Sequence, residues 1–520
     1  MFILASILSL LATCPIQDPD TNWLTYNGDL AGRRYSPLKQ ITRANVGKLR
    51  EVARFETGQD ASFQTGPIVV NGTMFVTTFS HTYAINAVTG KLKWKDVADV
   101  KKQGIANNRG VAYDDGRVFR GYGNGDIVAF DAATGNRIWT KKVGHPELGE
   151  SMPIAPIAWQ GHVFIGNAGG DNKGVTGHIY ALDEKTGEQA WKFDTVPTSG
   201  PAADTWKNKN LPPAGGATWS TYSIDTSTGV LYASVGNPAP DFDLSLRPGD
   251  SLYTDCVIAI DANTGKLLAY VQPTKHDQHD WDIAAAPVVI KTNAGRSFIA
   301  AGGKDGMLYG IDNRKVVGGD ASLMSILYST PVTRRLNVDA PLNSKVSTRF
   351  APGSQGGMEW NGPCYDPDSN LIFTPATDWP VSVKLAPKAK IIATKDGEVW
   401  SGASDDSFGT KDKQWGGYLT AVDADSGKVR WKYKSDSPII AGVTATAGGV
   451  VFSAEVTGEF RAFDSATGRI LWHHHLGRSC GGGIVSYSVD GQQYIAVAAG
   501  AISFLWPTKP ATAEIVIYRL

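Results

Sequence analysis

Short apolar runs recur along the chain, and each ends at an Asp or Asn that is followed by a Thr-Gly turn and then an aromatic residue. One copy has Asn86 at the end of its run, Thr89 and Gly90 in the turn, and Trp94 after it. Apolar runs bounded by such turns are typical of β-strands. Each copy therefore predicts a hairpin in which Gly takes a positive φ, Asp or Asn caps the turn, and the aromatic ring packs between neighbouring sheets.

The copies return at intervals that match the size of a propeller blade. The separations are 45 residues (86 to 131), 52 (131 to 183), 51 (261 to 312) and 41 (423 to 464). The clear copies are centred on Asn86, Asp131, Asp183, Asp261, Asp423 and Asp464, and degenerate ones on Asp225, Asp312 and Asp366. This repetition predicts an all-β chain that folds as an eight-bladed β-propeller with four strands in each blade.

Size, composition and charge agree with a single repeat domain. A chain of 520 residues is long for an ordinary domain, but repeat architectures escape that limit. No linker divides the chain, so we expect residues 20–520 to form one propeller domain. The 50 basic and 50 acidic residues cancel, which argues against a nucleic-acid or anionic-membrane partner attracted by bulk charge.

The first residues predict export. Residues 2–13 are apolar, too short to cross a bilayer, and fit the core of a secretory signal, so we expect residues 1–19 to be an export segment and the protein to be periplasmic or otherwise exported. No other run is long enough for a transmembrane helix. The four cysteines, Cys14, Cys256, Cys364 and Cys480, form no Cys-x-x-Cys motif, which argues against a thiolate zinc site or a c-type haem.

Candidate chemistry is concentrated in residues 234–286. Asn237 and Asp282 place an amide and a carboxylate on loops after strand-like runs, and such oxygens suit a hard cation or a general base. A purely structural interpretation, with turn-forming and solvated residues, is open for this stretch alone. We expect Asp280 to be such a solvated loop group. Longer loops at 192–216, 237–254, 273–282 and 330–360 are expected to lie on one face and build a site there.

The repeat and three local motifs together resemble one known family. The motifs are Gly-Asn-Pro-Ala-Pro at 236–240, Arg-Pro-Gly-Asp at 247–250 and His-Asp-Trp-Asp at 279–282. From about residue 22 to about residue 500 the chain is similar to the quinoprotein alcohol dehydrogenases, of the haem-free, methanol and ethanol dehydrogenase-like type. The resemblance implies an eight-bladed propeller with tryptophan-docking motifs that binds pyrroloquinoline quinone (PQQ) and Ca²⁺ on its axis.

The resemblance also implies roles for individual residues. Asp282 corresponds to the general base and also to a metal ligand, and Asn237 corresponds to a Ca²⁺ ligand through its amide oxygen. Asp171 falls about where the family has a Glu ligand, in a segment that is one residue longer here. The position of Ala284, where lanthanide-using members carry a second Asp, favours Ca²⁺.

Further positions correspond to contacts with the quinone. Arg109 matches a residue that grips its carboxylates and carbonyls, Trp219 matches the Trp that stacks on its ring, and Lys304 matches the basic residue near the reactive carbonyl. Gln64 and Glu359 occupy two cofactor-contacting positions where many members carry Glu and Asn. Many members also have adjacent cysteines where this chain has Gln103 and Gly104, so that disulfide is absent.

These residues predict oxidation of an alcohol to an aldehyde or ketone. A carboxylate can take the hydroxyl proton, a cation can make the quinone more electrophilic, and PQQ accepts the hydride. The alternative is a non-catalytic propeller, such as an envelope scaffold lipoprotein anchored through Cys14. The substrate, a small-molecule or polymeric alcohol, and the oligomeric state stay open, and a cytochrome c acceptor is implied by the resemblance only.

Overall fold

A computed structural model describes residues 21–101, 106–317, 322–408 and 414–520. The expected export segment at 1–19, Cys14, Gln103 and Gly104 lie outside these described residues. Eight sheets, each with four antiparallel strands that follow one another outwards from the axis, form the blades of the predicted propeller. The all-β, eight-bladed prediction is confirmed.

Blades 1 to 4 come in chain order, each read from its inner to its outer strand. Blade 1 contains Ile68–Val70, Thr73–Thr77, His81–Asn86 and Leu92–Val97. Blade 2 contains Ala112–Asp114, Arg117–Gly121, Asp126–Asp131 and Arg137–Lys142. Blade 3 contains Ile157–Trp159, His162–Gly166, His178–Asp183 and Gln189–Asp194. Blade 4 contains Tyr222–Asp225, Val230–Ser234, Val257–Asp261 and Leu267–Val271, with Ser322–Leu323 added outside in parallel.

Blades 5 to 8 repeat the arrangement. Blade 5 contains Val288–Lys291, Ser297–Gly302, Met307–Asp312 and Ser325–Pro331. Blade 6 contains Cys364–Asp366, Leu371–Asp378, Gly416–Asp423 and Val429–Ser435. Blade 7 contains Thr444–Thr446, Val450–Ala454, Glu459–Asp464 and Ile470–His475, with Tyr35–Ser36 pairing in parallel at its inner edge. Blade 8 contains Ile484–Val489, Gln492–Ala499, Glu514–Arg519 and, as its outer strand, Arg50–Glu56.

The outer strand of blade 8 closes the ring. Arg50–Glu56 comes from the beginning of the propeller and pairs antiparallel with Glu514–Arg519 near its end. Arg54 Nη1 lies 2.6 Å from Oε1 of Glu514, whose side chain is fully buried. Joining the two ends in one sheet removes two free strand edges, which stabilises the closed propeller.

Tryptophans join four blades to the blades that follow them, as the repeat predicts. Trp191 at the edge of blade 3 donates its Nε1–H to the carbonyl of Ala262 in blade 4, at 3.0 Å, and its ring lies against Gly265, which has φ +73°. The same docking occurs at other blade boundaries, where the indoles of Trp94, Trp139 and Trp431 donate to Ala132, Glu184 and Ser465. At the boundary between blades 5 and 6, Tyr328 takes the place of Trp and donates to Ala424.

The order of the strands determines on which of the two faces of the propeller each loop lies. The Thr-Gly turns join third to fourth strands and so lie on one face of the propeller, the lower face. Loops that join second to third strands, and loops that enter the next blade, lie on the opposite, upper face. The predicted long loops at 192–216, 237–254, 273–282 and 330–360 all belong to the upper face, and so does the described part, 379–408, of a further loop.

The segments between the blade strands contain short strand pairs and short helices. Ala214–Gly215 pairs with Pro238–Ala239, and Thr348–Phe350 pairs with Val381–Val383. The helical segments are Gly200–Ala203, Lys388–Ala393 and the 3₁₀ turns Val46–Lys48, Pro146–Leu148 and Leu244–Leu246. Within the described ranges, no helix has the length and apolar character needed to cross a membrane. Cys256, Cys364 and Cys480 are buried and unpaired.

Candidate functional site

Asp282 and Lys304 meet on the upper face, close to the axis. Asp282 lies in the connection from blade 4 to blade 5, and Lys304 lies in the loop between the second and third strands of blade 5. Lys304 Nζ is 2.5 Å from Asp282 Oδ2, and the two side chains are only 10 % and 4 % exposed. The main-chain N–H of Lys304 also donates to the carbonyl of Asp282, at 2.9 Å. The pair is therefore fixed through both main chain and side chains.

The other carboxylate oxygen of Asp282 is held by two different donors. Oδ1 accepts from Trp219 Nε1 at 3.2 Å and from the main-chain N–H of Asn237 at 3.0 Å. A Cβ at Gly236 would lie 2.5 Å from this oxygen, so only glycine leaves room for it. The loops that enter blade 4 and cross its top thus orient the carboxylate, which is the preorganisation that a general base needs.

Arg109 and Trp219 form a second part of the site. The guanidinium carbon of Arg109 lies 4.7 Å from the centre of the Trp219 ring and 5.6 Å from that of Trp360. Arg109 Nη1 donates to the carbonyl of Trp219 at 2.8 Å, while its buried Nε has no hydrogen-bond partner among the described residues. Lys304 Nζ lies 5.6 Å from the Trp219 ring. Burial lowers the pKa of Arg109 to about 10.

Glu359 and Gln64 are both buried near these residues. The pKa of Glu359 is raised to about 7, because burial, together with the charge of Asp282, outweighs the opposite effects of Lys304 and Arg109. Within the described part of the chain, Glu359 Oε1 has no hydrogen-bond partner. Gln64 Oε1 accepts from Asn107 Nδ2 at 2.6 Å, two residues before Arg109. The structure thus brings both predicted positions to the site.

Asn237 lies at the centre of a group of acidic residues. Its side-chain amide donates to Asp241 Oδ1 at 3.1 Å. Asp171 comes from the loop between the second and third strands of blade 3 and is accessible to solvent. Asp241 is buried, and burial together with the charges of Asp171 and Asp282 raises its pKa.

Asp280 is not the solvated loop group that the sequence suggested, and that expectation is wrong. Its backbone takes φ +61°, and its Oδ1 lies 3.4 Å from Lys304 Nζ. The side chain is 15 % exposed, and burial raises its pKa well above the usual range. Lys304, which comes from the next blade, covers Asp280. The polar residues around Asp280 in the sequence do not indicate this burial.

His276 and His279, in the same loop as Asp280, have different surroundings. His279 stacks on Trp281 with ring centroids 4.1 Å apart, and burial lowers its pKa to about 4. His276 is half exposed and lies 3.3 Å from Asp250. Both line a cavity of about 550 Å³ together with Arg335 and Asp305. His279 therefore packs against Trp281, next to Asp282 in the chain.

An aromatic wall was also missed by the sequence analysis. Trp219 and Trp360 belong to one apolar cluster with the half-buried Trp379 and Trp415 and the buried Trp506. The Trp379 ring lies 5.5 Å from Trp415 and 5.3 Å from Trp506, between centroids. Their positions follow no repeat, because they lie on loops rather than on the docking strands.

The residues present fit both groups that the family resemblance implies. A flat, anionic cofactor would find the face of Trp219, the cation of Lys304 and the unpaired Nε of Arg109. A hard cation would find carboxylate and amide oxygens at Asp171, Asn237 and Asp282, the ligand types such ions prefer. Among the described residues, no group of three or more His, Cys, Asp or Glu side chains is arranged to hold a metal ion.

Comparison with known proteins gives one consistent family. The model of the PQQ-dependent glucose, ethanol and alcohol dehydrogenase β-propeller domain matches residues 23–315 and 417–495. The chain is 30 % identical to quinoprotein alcohol dehydrogenase PedH of Pseudomonas putida, over 93 % of this chain and 87 % of that protein. It is 27 % identical to methanol dehydrogenase [cytochrome c] subunit 1 of Methylorubrum extorquens, over 94 % and 85 %.

Solved structures agree with this assignment. Quinohemoprotein alcohol dehydrogenase ADHIIG of Pseudomonas putida superposes with a TM-score of 0.85 at 26 % identity, covering 96 % of this chain and 80 % of the other. A europium-containing methanol dehydrogenase, at 24 % identity, has the same fold, with a TM-score of 0.84 over 97 % and 99 % of the two chains.

Proposed function

Because the chain belongs to the PQQ-dependent alcohol dehydrogenase family, we propose that Asp282 is the general base of its alcohol oxidation and that Ca²⁺ is held beside it. Asp171, Asn237 and Asp282 are the proposed metal ligands. Arg109, Trp219, Lys304, Gln64 and Glu359 are the proposed contacts of the cofactor. The observation that carries the proposal is the convergence of Lys304, Trp219 and Asn237 on the carboxylate of Asp282.

When bound, PQQ supplies the hydride acceptor and the cation supplies Lewis acidity at its carbonyl. Asp282 accepts the hydroxyl proton of the substrate alcohol, and its fixed orientation removes the cost of arranging a base during the reaction. Trp219 offers a flat face for stacking and, through its indole N–H, holds the base at a constant distance.

Lys304 has two tasks in this account. Its ammonium orients Asp282 through the 2.5 Å contact, and its charge would stabilise the negative charge that a bound quinone gains on accepting hydride. Arg109 adds a second cation that stays protonated near neutral pH, since its pKa of about 10 is well above 7. Both cations are buried, so solvent screens them weakly.

The proposal also includes the export of the protein, its electron acceptor and the kind of alcohol that it oxidises. Export of the protein is supported by the apolar run at 2–13. A cytochrome c as electron acceptor is supported by the name of the methanol dehydrogenase relative. A substrate with an apolar body is supported by the aromatic wall of Trp379, Trp415 and Trp506, which belongs to the same cluster as Trp219.

The direct test is a dye-linked assay of the purified apoprotein with PQQ, Ca²⁺ and a panel of alcohols. Activity that needs both additions, and that chelation and dialysis abolish, supports the proposal. Full activity after chelation with no loss of quinone would show that the metal assignment is wrong. A folded protein that neither binds PQQ nor turns over would favour the scaffold alternative.

A further inference from the structure

We propose that the cavity of about 550 Å³ next to His279 binds an uncharged, polyhydroxylated ligand, such as a saccharide unit or a sugar alcohol. The cavity is lined by the connection from blade 4 to blade 5 and by residues of blade 5 itself. Among the described residues that line it there is no proposed metal ligand or cofactor contact. A ligand there would be separate from the proposed catalytic function and would not depend on it.

Two chain segments separate this cavity from the proposed base. The main-chain N–H of Lys304 donates to the carbonyl of Asp282 at 2.9 Å, which joins the segments to each other. The Asp282 and Lys304 side chains contact each other, whereas their chain neighbours Trp281 and Asp305 line the cavity. The cavity therefore lies on the other side of these segments from the catalytic pair, and its ligand is not the reacting alcohol.

The buried acids of the cavity are compensated within the protein. Asp305 accepts from the hydroxyl of Tyr309 at 2.6 Å, and its Oδ2 lies 3.2 Å from Nη1 of Arg335. The carboxylate of Asp277 accepts from two main-chain N–H groups, two and four residues further along the chain, at 3.0 and 3.2 Å. Because a buried carboxylate with such donors is already stabilised, neither acid requires a cationic ligand.

Neutral polar groups of the lining are free to bind a ligand. His279 is only 4 % exposed, and its Nδ1 lies 4.0 Å from Asp277 Oδ1. Its Nε2 is buried and has no hydrogen-bond partner among the described residues. Gln278 and Ser329 add an amide and a hydroxyl to the lining. Leaving a buried polar atom unpaired costs free energy, and a ligand hydroxyl offsets that cost because it can both donate and accept.

The rest of the lining fits an uncharged ligand with an apolar face. Leu244, Ile326 and Val338 supply apolar surface, and the exposed Lys275 and Asp339 carry opposite charges. A charged ligand would be repelled by one of these two side chains, whereas a sugar ring presents hydroxyls at its edge and C–H groups on its face. The cavity also has the size of a small-molecule site, for which about 300–1,000 Å³ is typical.

Isothermal titration calorimetry of the full chain tests the site and the class of ligand together. The probes are methyl α-glucoside, which is neutral, gluconate, which is an anion, and glucosamine, which is a cation. The titrations are made without PQQ, so that no probe is oxidised. The wild type should bind methyl α-glucoside more tightly than either charged analogue, because the charges of the lining are already balanced.

Three variants locate the binding. Ser329→Phe fills the cavity from an exposed strand position and should weaken methyl α-glucoside by at least about tenfold. Ser325→Phe is the matched control, because Ser325 is exposed on the same strand but does not line the cavity, and it should bind like the wild type. His279→Phe keeps an aromatic ring against Trp281 but removes Nε2, and should weaken binding about five- to tenfold. Thermal unfolding checks that each variant is folded.

Three results would overturn the assignment. If no probe binds the wild type, the cavity is not a site for such ligands. If methyl α-glucoside binds Ser329→Phe as tightly as Ser325→Phe, the ligand lies elsewhere. If gluconate or glucosamine binds more tightly than methyl α-glucoside, the class of ligand is wrong. Each of these results leaves the proposed alcohol oxidation untouched, because the titrations involve neither the cofactor nor turnover.

Discussion

Lys304 Nζ lies 2.5 Å from Asp282 Oδ2, and the two residues come from consecutive connections around blade 5. The contact joins the proposed base to the cation that lies near the Trp219 ring. Because both side chains are shielded from solvent, each depends on the other for compensation of its charge. The same pair therefore contributes both to the stability of the apoprotein and to the proposed catalysis.

Replacing Lys304 should destabilise the apoprotein strongly. Lys304→Met leaves the buried acids Asp282 and Asp280 without their cation, and breaking a buried pair in this way costs about 3–5 kcal/mol. Chemical denaturation of the apoprotein measures the loss. The control is the same substitution in an Asp282→Asn background, where the penalty should shrink; an equal penalty in both backgrounds would show that the pair is not coupled.

Glu359 should make stability depend on pH near neutrality. Its pKa is about 7 in the folded protein, above the ordinary value of 4.5, so the folded state holds a proton that the unfolded chain loses. The contribution of Glu359 to stability therefore falls as pH rises from about 4.5 to about 7, by roughly 3 kcal/mol, and is constant above.

Comparison with Glu359→Gln isolates this effect. The free energy of unfolding of the variant minus that of the wild type should increase between pH 4.5 and 7 and then level off. Guanidinium titrations at several pH values measure the difference. A difference that stays flat with pH, or that decreases, would contradict the raised pKa of this buried carboxyl.

Trp219 should matter more for retention of the cofactor than for folding. The ring is partly exposed and flanked by Arg109 and Lys304, so its face is the natural stacking surface of the site. Trp219→Ala should weaken PQQ binding by about tenfold, from loss of about 1 kcal/mol or more of stacking. Equilibrium binding of PQQ to the folded variant measures this, and unchanged affinity would count against the placement.

The docking of Trp191 predicts a position-specific effect at Gly265. A Cβ there would lie 2.7 Å from the Trp191 ring, and the residue has φ +73°, so Gly265→Ala should cost about 2–4 kcal/mol. Gly229 is the control, because it has φ +71° but its nearest Trp159 atom is at 3.4 Å. Gly229→Ala should cost only the backbone strain, about 1 kcal/mol. Equal losses in thermal unfolding would refute the packing argument.

The propeller was predictable because its signal is local and repeated. Asn86 caps its turn by accepting from the main-chain N–H groups of Val88 and Thr89, and Gly90 takes φ +67°, as the motif requires. Each copy of the motif predicts the same strand, the same turn and the same docked aromatic residue. Tyr328 shows the limit of the pattern, since it docks like a tryptophan at a boundary where the repeat is degenerate.

The site was predictable only where a local motif marked it. Asp282 and Asn237 lie in such motifs, whereas the charge of Asp171 raises the pKa of Asp241 across the boundary between blades 3 and 4, which no local pattern encodes. The burial of Asp280 likewise depends on Lys304, which is 24 residues away in the chain. Charge compensation between loops is a property of the assembled face, so it was visible only in the structure.

The most direct test of the account is the rate at which the wild type and Asp282→Asn oxidise an alcohol after reconstitution with PQQ and Ca²⁺. Asn keeps the shape but cannot take the hydroxyl proton, so kcat should fall by about 10²–10⁴-fold. PQQ should be retained in part, because Arg109, Trp219 and Lys304 remain. Asp250→Asn, a change at a 42 % exposed carboxylate, is the control and should leave turnover nearly unchanged. Near-wild-type turnover in Asp282→Asn with PQQ bound would contradict the assignment of the base.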